Sequence, residues 1–293
     1  MKKIGTLVDD IYQLLSMGYG SYSDFLDHKI NDPDYTKREE YKENDRGGLR
    51  VSNIGRPCVR QLWYAHNGED EVSLEGKTKF FFQYGHFVED YILWLAEMSG
   101  HSVQSQQKTV QFDIGNGNKI VGHIDAIIDG VVIDVKTAGD WAFSNFENNL
   151  QEDDKFGYLT QLAMYVFGMN LSDGIPMDES YFLVVNKSTG EIKLVNSGLN
   201  KESVENLVYD AITKAKTVIE SNSPPDRSFE PVPSGKSGNF ELAVSCRYCP
   251  FKFKCFPETK VYAYSNGYKF LTTVSNEPKV PEVTDDYKSR LLE

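Results

Sequence analysis

The chain has 293 residues, 40% of them hydrophobic and 13% aromatic, which is enough to bury a sizeable core and argues against disorder. Its formal net charge of −12 excludes indiscriminate nucleic-acid binding through a broadly basic surface, though a groove can still be locally basic. No apolar run approaches membrane-spanning length, and the basic opening Met1-Lys2-Lys3 is cut by Asp9 and Asp10 before an apolar stretch develops. A cytoplasmic protein without disulfides is expected.

Ile4, Leu7, Val8, Ile11, Leu14 and Leu15 recur at helical spacing and Gly18-Tyr19-Gly20 stops them, which predicts a packing helix. Residues 21–50 are rich in charge and tyrosine, with Asp32-Pro33 as a turn signal and Lys37 to Glu43 as a solvated stretch. Ser52-Asn53 and Pro57 are start signals for a short helix from Cys58 to Ala65. A longer helix from about Phe80 to Met98 puts His86 and Glu89 three apart on one face. Strands follow at about 102–114, 118–128 and 131–137, then a helix at about 155–169 carrying Gln161 and Tyr165 one turn apart. Strands at about 180–186 and 191–196 and a helix at about 201–221 lead into a loop rich in Pro, Ser and Gly, Ser223 to Gly238. Beyond about 275 the chain reads as a tail or strap.

Asp129-Gly130 is a dipeptide that supplies the positive φ angles of a two-residue hairpin turn. That turn fixes a register in which Ile128 faces Val131, Asp125 faces Asp134 and His123 faces Lys136, all four on one side of the sheet. Directly opposed side chains are about 5 Å apart, so two carboxylates there repel unless a cation compensates them. Mg²⁺ or Mn²⁺ suits such an oxygen-rich site. An ordinary solvated hairpin face is the alternative.

The second constellation is Cys246, Cys249 and Cys255 within ten residues, with Cys58 remote from them. Four thiolates could hold a [4Fe–4S] cluster or a structural zinc, and spacing does not separate the two. Either would tie distant parts of the chain together. Lys252 and Lys254 lie between the last two cysteines, in reach of phosphate.

Taken together, Gly122-x-x-Asp125, Asp134-x-Lys136 and Gln161-x-x-x-Tyr165 resemble the PD-(D/E)XK nuclease superfamily, in particular its RecB-like iron–sulfur exonuclease branch, which includes CRISPR-associated RecB-like and phage exonucleases. Gly85-His86 with Glu89 is similar to the upstream helical metal ligand of that branch, and one cysteine before the core with three after it has the branch's layout. Asp125 is preceded by Ile124 where the family name has proline, and Asp134 stands where glutamate is more frequent.

The resemblance implies an α/β fold with a restriction-endonuclease-like core, a central mixed β-sheet flanked by helices, and a Cys-rich C-terminal staple. The corresponding organisation is an N-terminal helical and charged extension (1–50), the nuclease core (51–222), a loop and cluster-binding segment (223–260) and a C-terminal tail (261–293). It implies a DNA exonuclease dependent on Mg²⁺ or Mn²⁺ and acting at ends, in phage or bacterial replication, recombination or degradation. An endonuclease or CRISPR-type end-processing enzyme and a non-catalytic nucleic-acid-binding module are the alternatives. Asp125, Asp134, the Val135 carbonyl, His86 and, more loosely, Glu89 are the implied metal ligands. Lys136, Gln161 and Tyr165 complete the catalytic set. Arg56, Arg60, His123, Lys252 and Lys254 are candidate DNA contacts, and Cys58, Cys246, Cys249 and Cys255 are the implied cluster ligands. Expected partners are DNA and either a second copy of the chain or replication and recombination proteins, in the host cytoplasm if the chain is phage-encoded, with no membrane.

Overall fold

The computed structural model describes residues 2–31, 49–69, 76–148, 150, 152 and 154–292. The Asp32-Pro33 turn and the charged stretch from Lys37 to Glu43 lie outside them. The chain divides into two units, one of residues 1–56 with 81–217 and the other of residues 57–80 with 218–293. Among the described residues no helix is long and apolar enough to cross a membrane.

The first unit is built on a five-stranded mixed sheet of order β1-β4-β5-β6-β7, made of Val103–Gln104, Ala126–Ile128, Val131–Ala138, Ser180–Asn186 and Ile192–Asn196. The hairpin between β4 and β5 forms at Asp129 (φ 51) and Gly130 (φ 89), with Ile128 paired to Val131 as the turn dictates. Strands β5 and β6 are parallel, so a crossover must join them. It contains α6 (Asp140–Asn148) and α7 (Tyr158–Asp173). Short α6 escaped the periodicity reading.

On one face, Ala126, Ile128, Ile133, Val135 and Leu183 pack with Leu7 and Ile11 of α1 (Leu7–Ser16), Phe25 of α2 (Tyr22–Asn31) and Ile92 to Ala96 of α5 (Gly76–Met98). The N-terminal segment, expected as an extension, is therefore part of this core, and α2 is a helix where only a polar stretch was expected. Alternation sends Val132, Asp134 and Lys136 to the opposite face.

The strands expected at 102–114 and 118–128 are each broken. Ser105 (φ 55) and Gln107 (φ 58) separate β1 from β2 (Thr109–Gly115), and Ile124-Asp125 separates β3 (Asn118–His123) from β4. Strands β2 and β3 form their own two-stranded sheet, in which His123 pairs with Thr109. The expected pairing of His123 with Lys136 is thus overturned: the chain changes partners two residues before the β4 ladder begins.

The second unit carries α4 (Val59–His66) and an antiparallel sheet of order β10-β11-β9-β8, from Lys260–Tyr264, Gly267–Thr273, Phe240–Glu241 and Val232–Pro233. Leu242, Phe256, Val261, Phe270 and Tyr287 form its core, with Tyr287 contributed by α11 (Thr284–Leu292). Residues 261–292, expected as a tail, instead supply a hairpin and a helix. The apolar spacing of Val261, Phe270 and Leu271 across the Ser265-Asn266 turn was the available signal.

Candidate active site

Asp125 stands where the β4–β5 ladder ends. In an unbroken ladder the amide of Val135 would find its acceptor on the partner strand, but the chain diverges there and the Asp125 carboxylate takes its place, accepting from Val135 N at 2.6 Å. Asp134 is fully buried on β5. Its Oδ1 accepts from Gln161 Nε2 at 3.2 Å, and Gln161 also donates to Tyr165 Oη at 3.1 Å and accepts from Lys136 Nζ at 3.5 Å. Gln161 therefore bridges acid, lysine and phenol, which its helical spacing from Tyr165 made legible.

Lys136 Nζ is ion-paired with Asp134 Oδ2 at 2.5 Å and is, among the described residues, the one cation beside this buried oxygen. A buried carboxylate beside a second carboxylate, with a single ammonium to offset both, fits a site for a cation. Burial pushes the Asp125 carboxyl well above the usual carboxylate range, and the charges of Glu89 and Asp134 push the same way against Lys136 and the Val135 amide. Burial also raises Asp134, outweighing Lys136. For Lys136 itself, burial favours proton loss, yet the charges of Asp134 and then Asp125 prevail and hold the proton more tightly than in water. The cluster carries more negative than positive charge, in a setting where charge is costly.

Glu89 of α5 reaches this cluster, since its charge is felt at Asp125, Asp134 and Tyr165. Gln107 Nε2 donates to Glu89 Oε1 at 2.7 Å. His86, half-exposed one turn earlier, has its Nδ1 3.7 Å from Glu89 Oε2. Tyr158 was not singled out from the sequence: its ring lies 5.1 Å below Lys136 Nζ, and burial, then Asp134 and Asp154 against Lys136, raises its phenol. The carboxylate of Asp154 accepts the amides of Tyr158 and Leu159 and fixes the start of α7.

Gly122 is required by packing. A Cβ there would lie 2.6 Å from Val51 Cβ and 3.0 Å from Tyr165 Cε1, so only glycine lets β3 approach α3 (Val51–Ile54) and the phenol together. Gly55 and Gly157 make a similar backbone crossing, with a Gly157 Cβ falling 2.2 Å from Gly55 C.

Of the candidate DNA contacts, Arg56 lies close enough to Tyr158 for its charge to lower that phenol, and His123 sits within 3.2 Å of Thr109 Oγ1 on the small sheet. Lys252 is corrected: it is buried in the second unit, bonded to Arg247 O at 3.2 Å and held over Phe270, because its stem completes that core. Lys254 is ion-paired with Glu69. Arg60 donates to Tyr64 Oη and Pro225 O.

All four cysteines belong to the second unit and line one pocket with Arg60, Tyr64 and Phe251. Burial lifts the thiol of Cys246 to about 11 and that of Cys249 to about 12, and the sulfurs of Cys58 and Cys255 add to both. Burial raises Cys255 as well, against Arg60 and Arg227. Four cysteines gathered in one pocket are a donor set that a soft metal centre binds as thiolates. Among the described residues no three His, Cys, Asp or Glu side chains meet at a common coordination point, so the carboxylates stand as a cluster of charge and the thiols as a pocket lining.

No curated protein matches the chain. Among solved structures, one titled "Crystal structure of SSO0001" is similar at 16% identity and a TM-score of 0.40, covering 75% of this chain and 93% of that one. A family model described as the PD-(D/E)XK nuclease superfamily matches residues 31–256, a span that holds the acids, the lysine, the glutamine helix and the last cysteines. Over that much of its length, the chain belongs to the PD-(D/E)XK nuclease superfamily.

Proposed function

We propose that this member of a metal-dependent nuclease superfamily is a DNA exonuclease that hydrolyses phosphodiester bonds from DNA ends with Mg²⁺ or Mn²⁺, and that Cys58, Cys246, Cys249 and Cys255 hold a structural [4Fe–4S] cluster. The observation that carries the active-site half is buried Asp134 with partly buried Asp125 close enough to feel its charge and one lysine ion-paired beside them. Asp125, Asp134 and the Val135 carbonyl would hold the divalent ion, with Glu89 and His86 on the α5 side. When bound, such an ion supplies Lewis-acid polarisation of the phosphodiester and lowers the pKa of water.

Lys136 keeps its proton and so acts as a fixed positive charge that orients the attacking water or offsets charge developing on phosphate. Gln161 fixes the lysine relative to Asp134, and Tyr165 occupies the remaining amide proton of Gln161. These two are positioning residues. One pocket lined by four cysteines, with burial raising the thiols of Cys246, Cys249 and Cys255, supports a cluster of the [4Fe–4S] type or zinc. An endonuclease on the same scaffold is the second reading, and the same acids and lysine serve it.

A digestion time course with end-labelled linear and covalently closed circular DNA, with Mg²⁺ or Mn²⁺, tests the proposal. Progressive loss of linear DNA with circles spared is expected, and Asp134→Ala and Lys136→Ala should each lose cleavage by at least about 100-fold, the scale of a lost transition-state contact. Rapid nicking of circles would favour the endonuclease. Near-normal cleavage by both variants would remove the active-site assignment. Anaerobically purified protein should be brown with iron and acid-labile sulfide; colourless protein with stoichiometric zinc would replace iron but keep the cysteine site.

A further inference from the structure

The sheet end that carries Lys136 is rimmed by exposed aromatic rings. Four residues after Lys136, α6 begins, and Trp141 in its first turn is 69% exposed. Lys155 Nζ sits 5.7 Å from the centre of the Trp141 ring. The next residue, Phe156, is half-exposed and stacks on Tyr158 with centroids 5.5 Å apart and planes at 27°. Tyr158 in turn stacks on Phe146 at 5.5 Å and lies beneath Lys136. A column of rings thus runs from the core to solvent past the candidate catalytic lysine, ending in Phe156, with Trp141 joined to that end through Lys155. A second pairing stands beside the same strand end: Lys187, whose amide donates to Ala138 O, holds its ammonium 4.7 Å from the ring centre of exposed Phe81 on α5.

Large rings left in water are an expense a fold avoids without a partner. Two ammonium groups placed over exposed rings offer a charge for phosphate next to a face for a base. A chain of net charge −12 lacks the broad basic surface that duplex backbone contacts demand, and an exposed ring can take the face of an unpaired base whereas a duplex keeps its bases stacked on one another. We infer that Trp141, Lys155 and Phe156, with Phe81 and Lys187, form a stacking platform that captures the single-stranded end of DNA and feeds it to Lys136. The inference rests on the nuclease reading and deepens it by naming single-stranded DNA as the substrate class.

Binding, measured without divalent metal in the full-length Asp134→Asn protein, separates this inference from the chemistry. Trp63 and Trp94 are 8% and 4% exposed, so quenching of tryptophan fluorescence by a single-stranded oligonucleotide should report Trp141. Trp141→Phe should lose the quench and keep affinity within about twofold, while Trp141→Ala and Phe156→Ala should each weaken single-strand binding about tenfold or more, the scale of one lost stacking contact. Affinity for a blunt hairpin duplex should stay within about twofold in both, and the unfolding midpoint of Trp141→Ala should be unchanged. Undiminished single-strand affinity in the double alanine variant, or an equal loss for duplex, would overturn the platform even if the wild type cleaves DNA. A wild type that binds single strands through Trp141 but cleaves nothing would leave the platform standing and remove the nuclease reading.

Discussion

Burial and the charges of Glu89 and Asp134 hold the Asp125 carboxyl well above the usual carboxylate range, with Lys136 and one amide in the other direction. A carboxyl whose pKa is raised by folding favours the folded state less once it must ionise. Stability is therefore full below the unfolded value near 4 and is lost as pH climbs toward the folded value. Asp125→Asn removes the charge while an amide oxygen can still accept from Val135. We expect the metal-free variant to unfold a few degrees higher than wild type at pH 7, on the order of 1 kcal/mol or more for a unit this size, with the gap closing by pH 4. Added Mn²⁺ should raise the wild-type midpoint and leave the variant unmoved, because a ligand stabilises only the state that binds it. Thermal denaturation with and without Mn²⁺ at the two pH values checks both statements, and a wild type indifferent to Mn²⁺ would count against the cation site.

At the scale of elements, the site depends on how closely β3, α3 and α7 approach. Gly122 faces Val51 and Tyr165, Gly168 lets α7 onto β2 with a would-be Cβ only 2.7 Å from Val110 Cγ1, and Gly55 crosses Gly157. These contacts hold Gln161 and Tyr165 over Asp134. Gly122→Ala should force Val51 and the Tyr165 ring apart, costing about 1–3 kcal/mol, the range for overpacking a close contact. It should also lower cleavage although no functional group is removed. Urea unfolding midpoints with turnover on linear DNA measure the two losses. A stable variant with full activity would show that the approach is softer than the distances imply.

Across the whole molecule, chemistry is divided between units: the acids and lysine lie in one, all four cysteines in the other. With Cys246 at about 11 and Cys249 at about 12, the metal-free pocket keeps these two thiols protonated at neutral pH. A thiol raised by folding contributes stability that is present below its unfolded value of about 8.5 and lost as pH rises toward the folded value. The metal-free protein should therefore lose stability between about pH 8 and pH 11, and metal uptake should release protons and tighten with pH. Titration of zinc into the metal-free chain at two pH values, with proton release followed in weak buffer, tests this. Cys58→Ala should weaken binding. Affinity independent of pH would exclude thiolate ligation.

The sequence by itself determined the hairpin and the pairing of Ile128 with Val131, because a turn that needs two positive φ angles is a property of neighbouring residues, whereas the ladder ends at Ala126 and Asp125 meets the Val135 amide instead. It also placed Gln161 and Tyr165 on one helical face, for the same local reason. His123 was misassigned because strand pairing at Ile124-Asp125 changes partner, and no neighbouring residue records which strand will lie alongside. His86 and Glu89 share a helical face, and it takes the packing of α5 against the sheet end to bring the charge of Glu89 to Asp125. Lys252 reads as a surface cation, yet the fold of the second unit closes around its stem. Trp141 and Phe156 lie fifteen residues apart, each directly after a charged residue, and their joint exposure exists only once β5 and β6 pair in parallel and the crossover carries both to the same edge. Local geometry is written in the covalent neighbourhood, whereas burial and charge coupling depend on which distant segments meet.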